Sequence, residues 1–431
     1  MQEAFLHYLW KFKKFRWENA KTSDGKALVL ISVGTHNQSE SGPDFFNAKL
    51  KIGDQMWAGN VEIHLKTSDW YAHNHETDPA YDNVILHVVW ENDSEIFRKN
   101  NVAIPTLELR ELVAEKTLHN YQNLLVSGRS KWINCEKDFE TFNDFKIDNW
   151  LERMYVERLE QKSGVLSQLL AKSTNNWEAT LFAMLAKNFG LNVNGDAFLD
   201  MAISTPFSVV QKSANRPEQL EALFFGQAGM LEAETEAPYF HQLKKEYGFL
   251  KQKFGLQPAN NFPVKYFRLR PDNFPTIRLA QLASLYALRK QLFSKTIAAQ
   301  SKEKLYDLFQ VETSKFWQTH YTFQKESNPE TSGRRKKLTK NFVDLLLINT
   351  VVPIKFHYAK SLGKSSEERI FSLMKSGKPE TNSVVAKFNK LRKNTATDAL
   401  GSQALLHLKK NYCDKNRCLQ CALGLELLQK N

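Results

Sequence analysis

Gly42-Pro43-Asp44 is followed, a strand's length later, by Val61-Glu62-Ile63-His64. A carboxylate at the start of one strand and a second on the next can hold a divalent cation. Mg²⁺ or Mn²⁺ held this way neutralises a phosphate and activates water near neutral pH. Asp44 and Glu62 are therefore the candidate metal ligands, with the Ile63 carbonyl as a third. His64 and Lys66, on the strand face of Glu62, complete the candidate catalytic set by positioning or deprotonating the water. Six of the eleven histidines lie in residues 1–87: His7, His36, His64, His73, His75 and His87. Asp44, Glu62, Asp69, Glu76, Asp78 and Asp82 stand between them. Such a density of imidazole and carboxylate marks a metal or acid–base site. His73, His75 and Asp78 read as the rim of that site or as a second one. His87, in an apolar run, reads as a core histidine. The plain alternative is a polar strand face at Glu62 and His64, with Asp44 capping a turn.

The four cysteines form a second constellation. Cys413, Cys418 and Cys421 are spaced C-x₄-C-x₂-C, and Cys135 lies far upstream. Three thiols so close, in a chain with too few cysteines for a disulfide scaffold, point to a metal. An iron–sulfur cluster and Zn²⁺ both suit four thiolates; buried unpaired thiols are the alternative.

The net charge of +12 is unevenly spread. Residues 1–130 carry 14 Lys+Arg against 17 Asp+Glu, whereas residues 331–431 carry 20 against 7. A basic final quarter suits a polyanion or is simply a solvated surface; the expected partner is nucleic acid, DNA first, and not a membrane. Arg334, Arg335, Lys336 and Lys337 are the candidate contacts. Phe267 to Arg278, rich in Arg and aromatic residues, reads as the approach to a helix near Thr276, with contact to phosphates and bases as the alternative. No apolar run approaches the length needed to span a bilayer, and the N-terminus has no signal-peptide pattern. A soluble cytoplasmic protein is expected.

Positioning these residues requires a mixed first region. The pattern predicts a helix from Glu3 to about Phe15 and strands over 27–33, 45–52, 56–66 and 84–90, with another near 104–109. A two-residue turn at Gly53-Asp54 closes a hairpin. That turn places Phe46 opposite Val61 and Asp44 opposite Ile63, on the face away from Glu62. The two carboxylates converge only if a bulge near Pro43 to Phe45, or a longer turn, shifts the register. From about residue 145 the spacing is helical, including 177–189, 217–225, 276–293, 303–321, 338–348 and 402–410.

The Pro-Asp, the Glu62-Ile63-His64 strand and the order helix, strand, hairpin, helix, strand resemble the restriction-endonuclease-like (PD-(D/E)XK) nuclease superfamily. The resemblance implies Mg²⁺ on Asp44 and Glu62, a lysine where His64 stands, and a further carboxylate at Glu3. Some such nucleases pin their two ends with a four-cysteine iron–sulfur cluster. The string Gly59 to Trp70, with His73, His75, Asp78, Tyr81 and Val84 to Val89, also resembles an uncharacterised bacterial family of unknown function over most of the chain. The expected architecture is α+β: a restriction-endonuclease-like mixed sheet over 1–115, then a larger, mostly α-helical domain over 116–431 with the basic part and the cysteines. The expected function is metal-dependent hydrolysis of DNA or RNA. The alternatives are a non-catalytic nucleic-acid-binding or scaffold protein on an inactive nuclease-like core, and another metal-dependent hydrolase using the His/Asp cluster.

Overall fold

Phe5, Leu6, Leu9 and Trp10 recur at helical spacing and are fully buried on helix α1, Glu3–Lys11, in a computed structural model of the chain. Burying each such side chain contributes about 1.5–3 kcal/mol. The described residues are 1–37, 41–125, 131–232, 235–259, 261–327 and 335–429. α1 ends before the expected Phe15 because Lys13 turns left-handed (φ 51°) and the Lys14 amide donates back to the Leu9 carbonyl at 2.8 Å. That bond is a helix-ending closure.

The described strands are β1 Leu28–Ser32, β2 Thr35–His36, β3 Phe45–Ile52, β4 Gln55–Lys66, β5 Val84–Glu91 and β6 Thr106–Glu108. They form one mixed sheet in the order β1-β3-β4-β5-β6, with β2 also on β3. β1, β2 and β4 run antiparallel to β3, while β5 is parallel to β4 and β6 to β5. Between β4 and β5 the chain makes helix α2, Asp69–Ala72, and a turn at Pro79–Tyr81 capped by Asp78. Trp70, Val84, Ile96 and Ile104 pack together there, with Tyr81 against them. Gly59 lets β4 approach β5, since a side chain there would run into Ile85 and the Asn83 carbonyl. Beyond the sheet come helix α3, Glu115–Leu125, and the long helix α4, Asp144–Lys172.

The chain divides into two units: Met1–Trp150 with Leu408–Asn431, and Leu151–His407. Two features depart from the expected 1–115 and 116–431 partition. The boundary falls inside α4, and the cysteine-bearing C-terminal segment belongs with the sheet. The physical reason is packing of Ala422–Gln429 on α3.

The second unit is helical. Expected helices at 276–293 and 303–321 are each interrupted: Gln291 turns left-handed (φ 53°) between Pro275–Leu288 and Leu292–Ala298, and 310–314 separates Lys302–Phe309 from Lys315–Thr319. Among the described residues one helix, Lys340–Ser361, is long and apolar enough to cross a membrane, contrary to the expectation that no run approaches this; 61% of its apolar window is buried inside the protein.

Candidate functional site

The β3–β4 hairpin starts as its turn dictates, with Ile52 opposite Gln55, Leu50 opposite Trp57 and Ala48 opposite Gly59. The register then slips, and Phe45 rather than Phe46 stands opposite Val61. The extra residue lies at Phe46–Asn47, slightly later than expected, where Asn47 adopts a left-handed φ of 57°. Phe45 is fully buried while Phe46 is half-buried. A bulge shifts every preceding side chain by one position. Asp44 consequently meets Glu62: its amide donates to Glu62 Oε2 at 3.1 Å, and the Ile63 amide donates to Asp44 Oδ2 at 3.0 Å.

Two imidazoles close on the Glu62 carboxylate, and a third joins through one of them. His64 Nε2 and His75 Nε2 each lie 3.4 Å from Glu62 Oε1, and His73 Nδ1 lies 3.0 Å from His64 Nε2. One ligating atom from each of His64, His73 and His75 falls within 4.8 Å of the other two. His87, fully buried on β5 beside Glu62 in the sheet, places Nε2 at 2.8 Å from His64 Nδ1. A His64 Nδ1–H donated to His87 leaves the His64 Nε2 lone pair facing the carboxylate. Tyr81 stacks on His75 with ring centroids 3.7 Å apart, and Trp70 meets it edge-on. His7, on α1, puts Nε2 at 3.2 Å from Asp44 Oδ2.

The electrostatics follow from burying like groups together. Burial, then the charge of Asp44, pushes the Glu62 carboxyl up to about 9. Burial and the neighbouring His75, His73 and His7 press His64 down to about 3. His75 and His87 are lowered chiefly by burial. Burial opposes a proton on His7 too, but the nearby Asp44 carboxylate outweighs it and raises this imidazole. Glu3, on α1, is raised by burial and by Asp44, so its charge belongs to the same cluster.

These residues fit a metal ion. The lowered imidazoles of His64 and His75 keep lone pairs available to a cation, and a cation would favour the anionic form of the raised Glu62 carboxylate. Donors bound at about 2.0–2.1 Å around a tetrahedral ion stand roughly 3.3–3.4 Å apart, close to the separations between Glu62 and its two imidazoles. Imidazole donors suit Zn²⁺, whereas Mg²⁺ and Mn²⁺ favour oxygen donors.

Of the candidate residues, Asp44, Glu62 and His64 are brought together. Lys66 is not: its ammonium lies 3.9 Å from Asp93 and is half-exposed. Asp78 caps its turn through the Ala80 amide. His73, His75 and His87 enter the centre although sequence reasoning gave the first two only a rim position or a second site and His87 a core role. The His-x-His spacing was the available signal. Cys135, Cys413, Cys418 and Cys421 lie in the first unit without a disulfide.

The basic run is in the second unit. Arg334 lies outside the described residues. Arg335 is exposed and 3.6 Å from Glu312, and Lys337 is exposed. Lys336 is not a surface contact: it is buried, and its ammonium donates to the Trp317 and His320 carbonyls, each at 2.7 Å, and to Ser327 Oγ at 2.9 Å. Phe267 is exposed with the Arg268 guanidinium 5.1 Å from its ring centre.

No curated protein and no solved structure matches the chain significantly. A family model described as Protein of unknown function (DUF2851) matches residues 3–383, nearly the whole chain, and the protein belongs to that family.

Proposed function

We propose that the protein is a metal-dependent hydrolase of phosphodiester bonds in nucleic acid, DNA first, with its centre at Asp44, Glu62 and the surrounding histidines. The observation that carries this is the Phe46–Asn47 bulge, which turns Asp44 onto Glu62 beside three imidazoles. The order of elements supports it: α1, antiparallel strands, a short helix and a parallel strand follow the restriction-endonuclease-like order.

His64, His73 and His75 would hold the ion with Glu62 beside them, leaving a position open; the ion would supply Lewis acidity and an activated water when bound. Asp44, fixed by the Ile63 amide and His7, adds negative charge beside them. His7, whose imidazole is raised beside Asp44 with Nε2 3.2 Å from Oδ2, would be the group to exchange a proton with a reacting oxygen. His87 orients His64. The imidazole-rich donor set gives weight to a second reading, a metal-dependent hydrolase acting on another substrate.

The test is cleavage of labelled single- and double-stranded DNA and RNA with Mn²⁺, Zn²⁺ or Mg²⁺, comparing wild type with Glu62→Gln. Metal-dependent cutting lost in Glu62→Gln supports the nuclease. Salt-sensitive binding without cutting, by folded metal-loaded protein, replaces it with a non-catalytic nucleic-acid-binding or scaffold role. Neither binding nor cutting moves the reading to another substrate.

A further inference from the structure

The C-terminal thiols are gathered by a tightly wound segment. Lys409–Cys413 winds as a π-turn, an arrangement concentrated at functional sites. The Asp414 amide donates to the Lys409 carbonyl at 2.8 Å and the Arg417 amide to the Tyr412 carbonyl at 2.9 Å. Asn416 turns left-handed (φ 52°), Cys418 opens a 3₁₀ turn, and Cys421 stands before the helix Ala422–Gln429. Gly424 is needed where it is, because any side chain there would strike the Cys418 backbone.

Cys135 comes to this segment from a distant part of the sequence. Its neighbour Asn134 bridges the two pieces: one Nδ2 group donates to Asn416 Oδ1 at 3.2 Å and contacts Cys418 Sγ at 3.3 Å. The thiols lie in one another's fields. Cys413 feels Cys135, Cys421 and Cys418, and Cys135 feels Cys421 and Cys418. Cys421 is buried and the others are half-buried. Burial, together with this mutual repulsion, raises the thiols, Cys421 to about 11. The backbone amides of Leu423 and Gly424 donate toward the Cys421 sulfur.

We infer that Cys135, Cys413, Cys418 and Cys421 ligate a thiophilic metal centre, a zinc ion or an iron–sulfur cluster, that fastens Leu408–Asn431 to the sheet-bearing unit. Four thiols in one neighbourhood, none of them in a disulfide and with Asn134 tying the Cys135 segment to Cys418, suit a metal centre rather than a disulfide. Metal coordination deprotonates thiols outright and removes the cost of keeping four together. Amides aimed at a sulfur stabilise a thiolate and suit either centre. This site is separate from the histidine centre and stands whether or not the protein is a hydrolase.

The test uses the full chain carrying His73→Ala and His75→Ala, so that the other centre does not contribute. The protein is purified anaerobically and assayed for zinc, iron and acid-labile sulfide, then again after adding Cys418→Ser. Expected is a stoichiometric zinc ion, or iron and sulfide with visible absorption, lost with Cys418→Ser. Because that variant risks misfolding, wild type exchanged with Co²⁺ gives a second readout, a thiolate-to-cobalt charge-transfer band. Folded protein that stays metal-free after reconstitution with Zn²⁺ and with iron plus sulfide overturns the inference. So does, for protein without iron and sulfide, a cobalt spectrum without thiolate bands, or, for either centre, recovery of the thiols as disulfides.

Discussion

Glu62 is surrounded by groups that each leave it something to give. Its Oε2 accepts from the Asp44 amide, while its Oε1 faces two imidazole nitrogens. On the proposed reading a cation would take that side, so His73→Ala or His75→Ala is expected to weaken Mn²⁺ or Zn²⁺ binding sharply in equilibrium dialysis. His87 acts one step back, through His64. Partners of this kind hold ligand tautomer and direction, and removing them costs about 10–100-fold in metal affinity. His87→Gln is expected to lose that much with an unchanged far-ultraviolet circular dichroism spectrum; unchanged affinity would show that His87 is only packing. Glu62 and His64 could be read from the sequence as sharing a strand face because strand parity governs them, whereas Asp44 joins them only through the bulge. His73 and His75 were harder to place because they follow β4 in a connection whose path is set by Trp70 packing, which periodicity does not encode. Lys336 misled for a related reason: a basic run looks exposed, yet three acceptors draw one of its members inside.

At the scale of elements, the β3 bulge decides the site. The need for it was legible, since a straight two-residue hairpin separates Asp44 from Glu62. Its position was not, because Asn47 offers little sequence signal beyond its tolerance of the left-handed region. Asn47 is exposed, so its substitution probes backbone rather than packing. Asn47→Val is expected to cost about 1–2 kcal/mol by urea unfolding and to weaken metal binding, whereas Asn47→Gly retains both. In the second unit, helix Pro217–Gln227 carries the buried Glu221, whose carboxylate accepts from Tyr239 at 3.0 Å, Ser314 at 3.3 Å and Trp317. Burial outweighs these donors and pushes Glu221 up to about 7. The folded chain therefore keeps a proton that the unfolded chain releases above its ordinary value of 4.5. This contribution is full below that value, falls as pH rises to about 7, and amounts to about 3 kcal/mol. Denaturation at pH 5 and pH 8 should show that loss in wild type and a smaller one in Glu221→Gln.

For the whole molecule, the α+β character and the helical second region were legible from a change of period. The two-unit division was not, because it depends on a contact between α3 and Ala422–Gln429 that no local pattern announces. Deleting Leu408–Asn431 is therefore expected to unfold or aggregate the sheet-bearing unit while the helical unit persists. Limited proteolysis, with fragments identified by mass, would show Leu151–His407 surviving; a protected 1–150 fragment would contradict the division. The same closure sets an order of assembly during synthesis. Leu408–Asn431 leaves the ribosome only after all of Leu151–His407, so the unit begun first is the one finished last. Until then the sheet waits as an open half, and its histidine centre is built on a frame that lacks its final piece. A nascent or interrupted chain is thus expected to carry the residues for chemistry without a finished support to hold them.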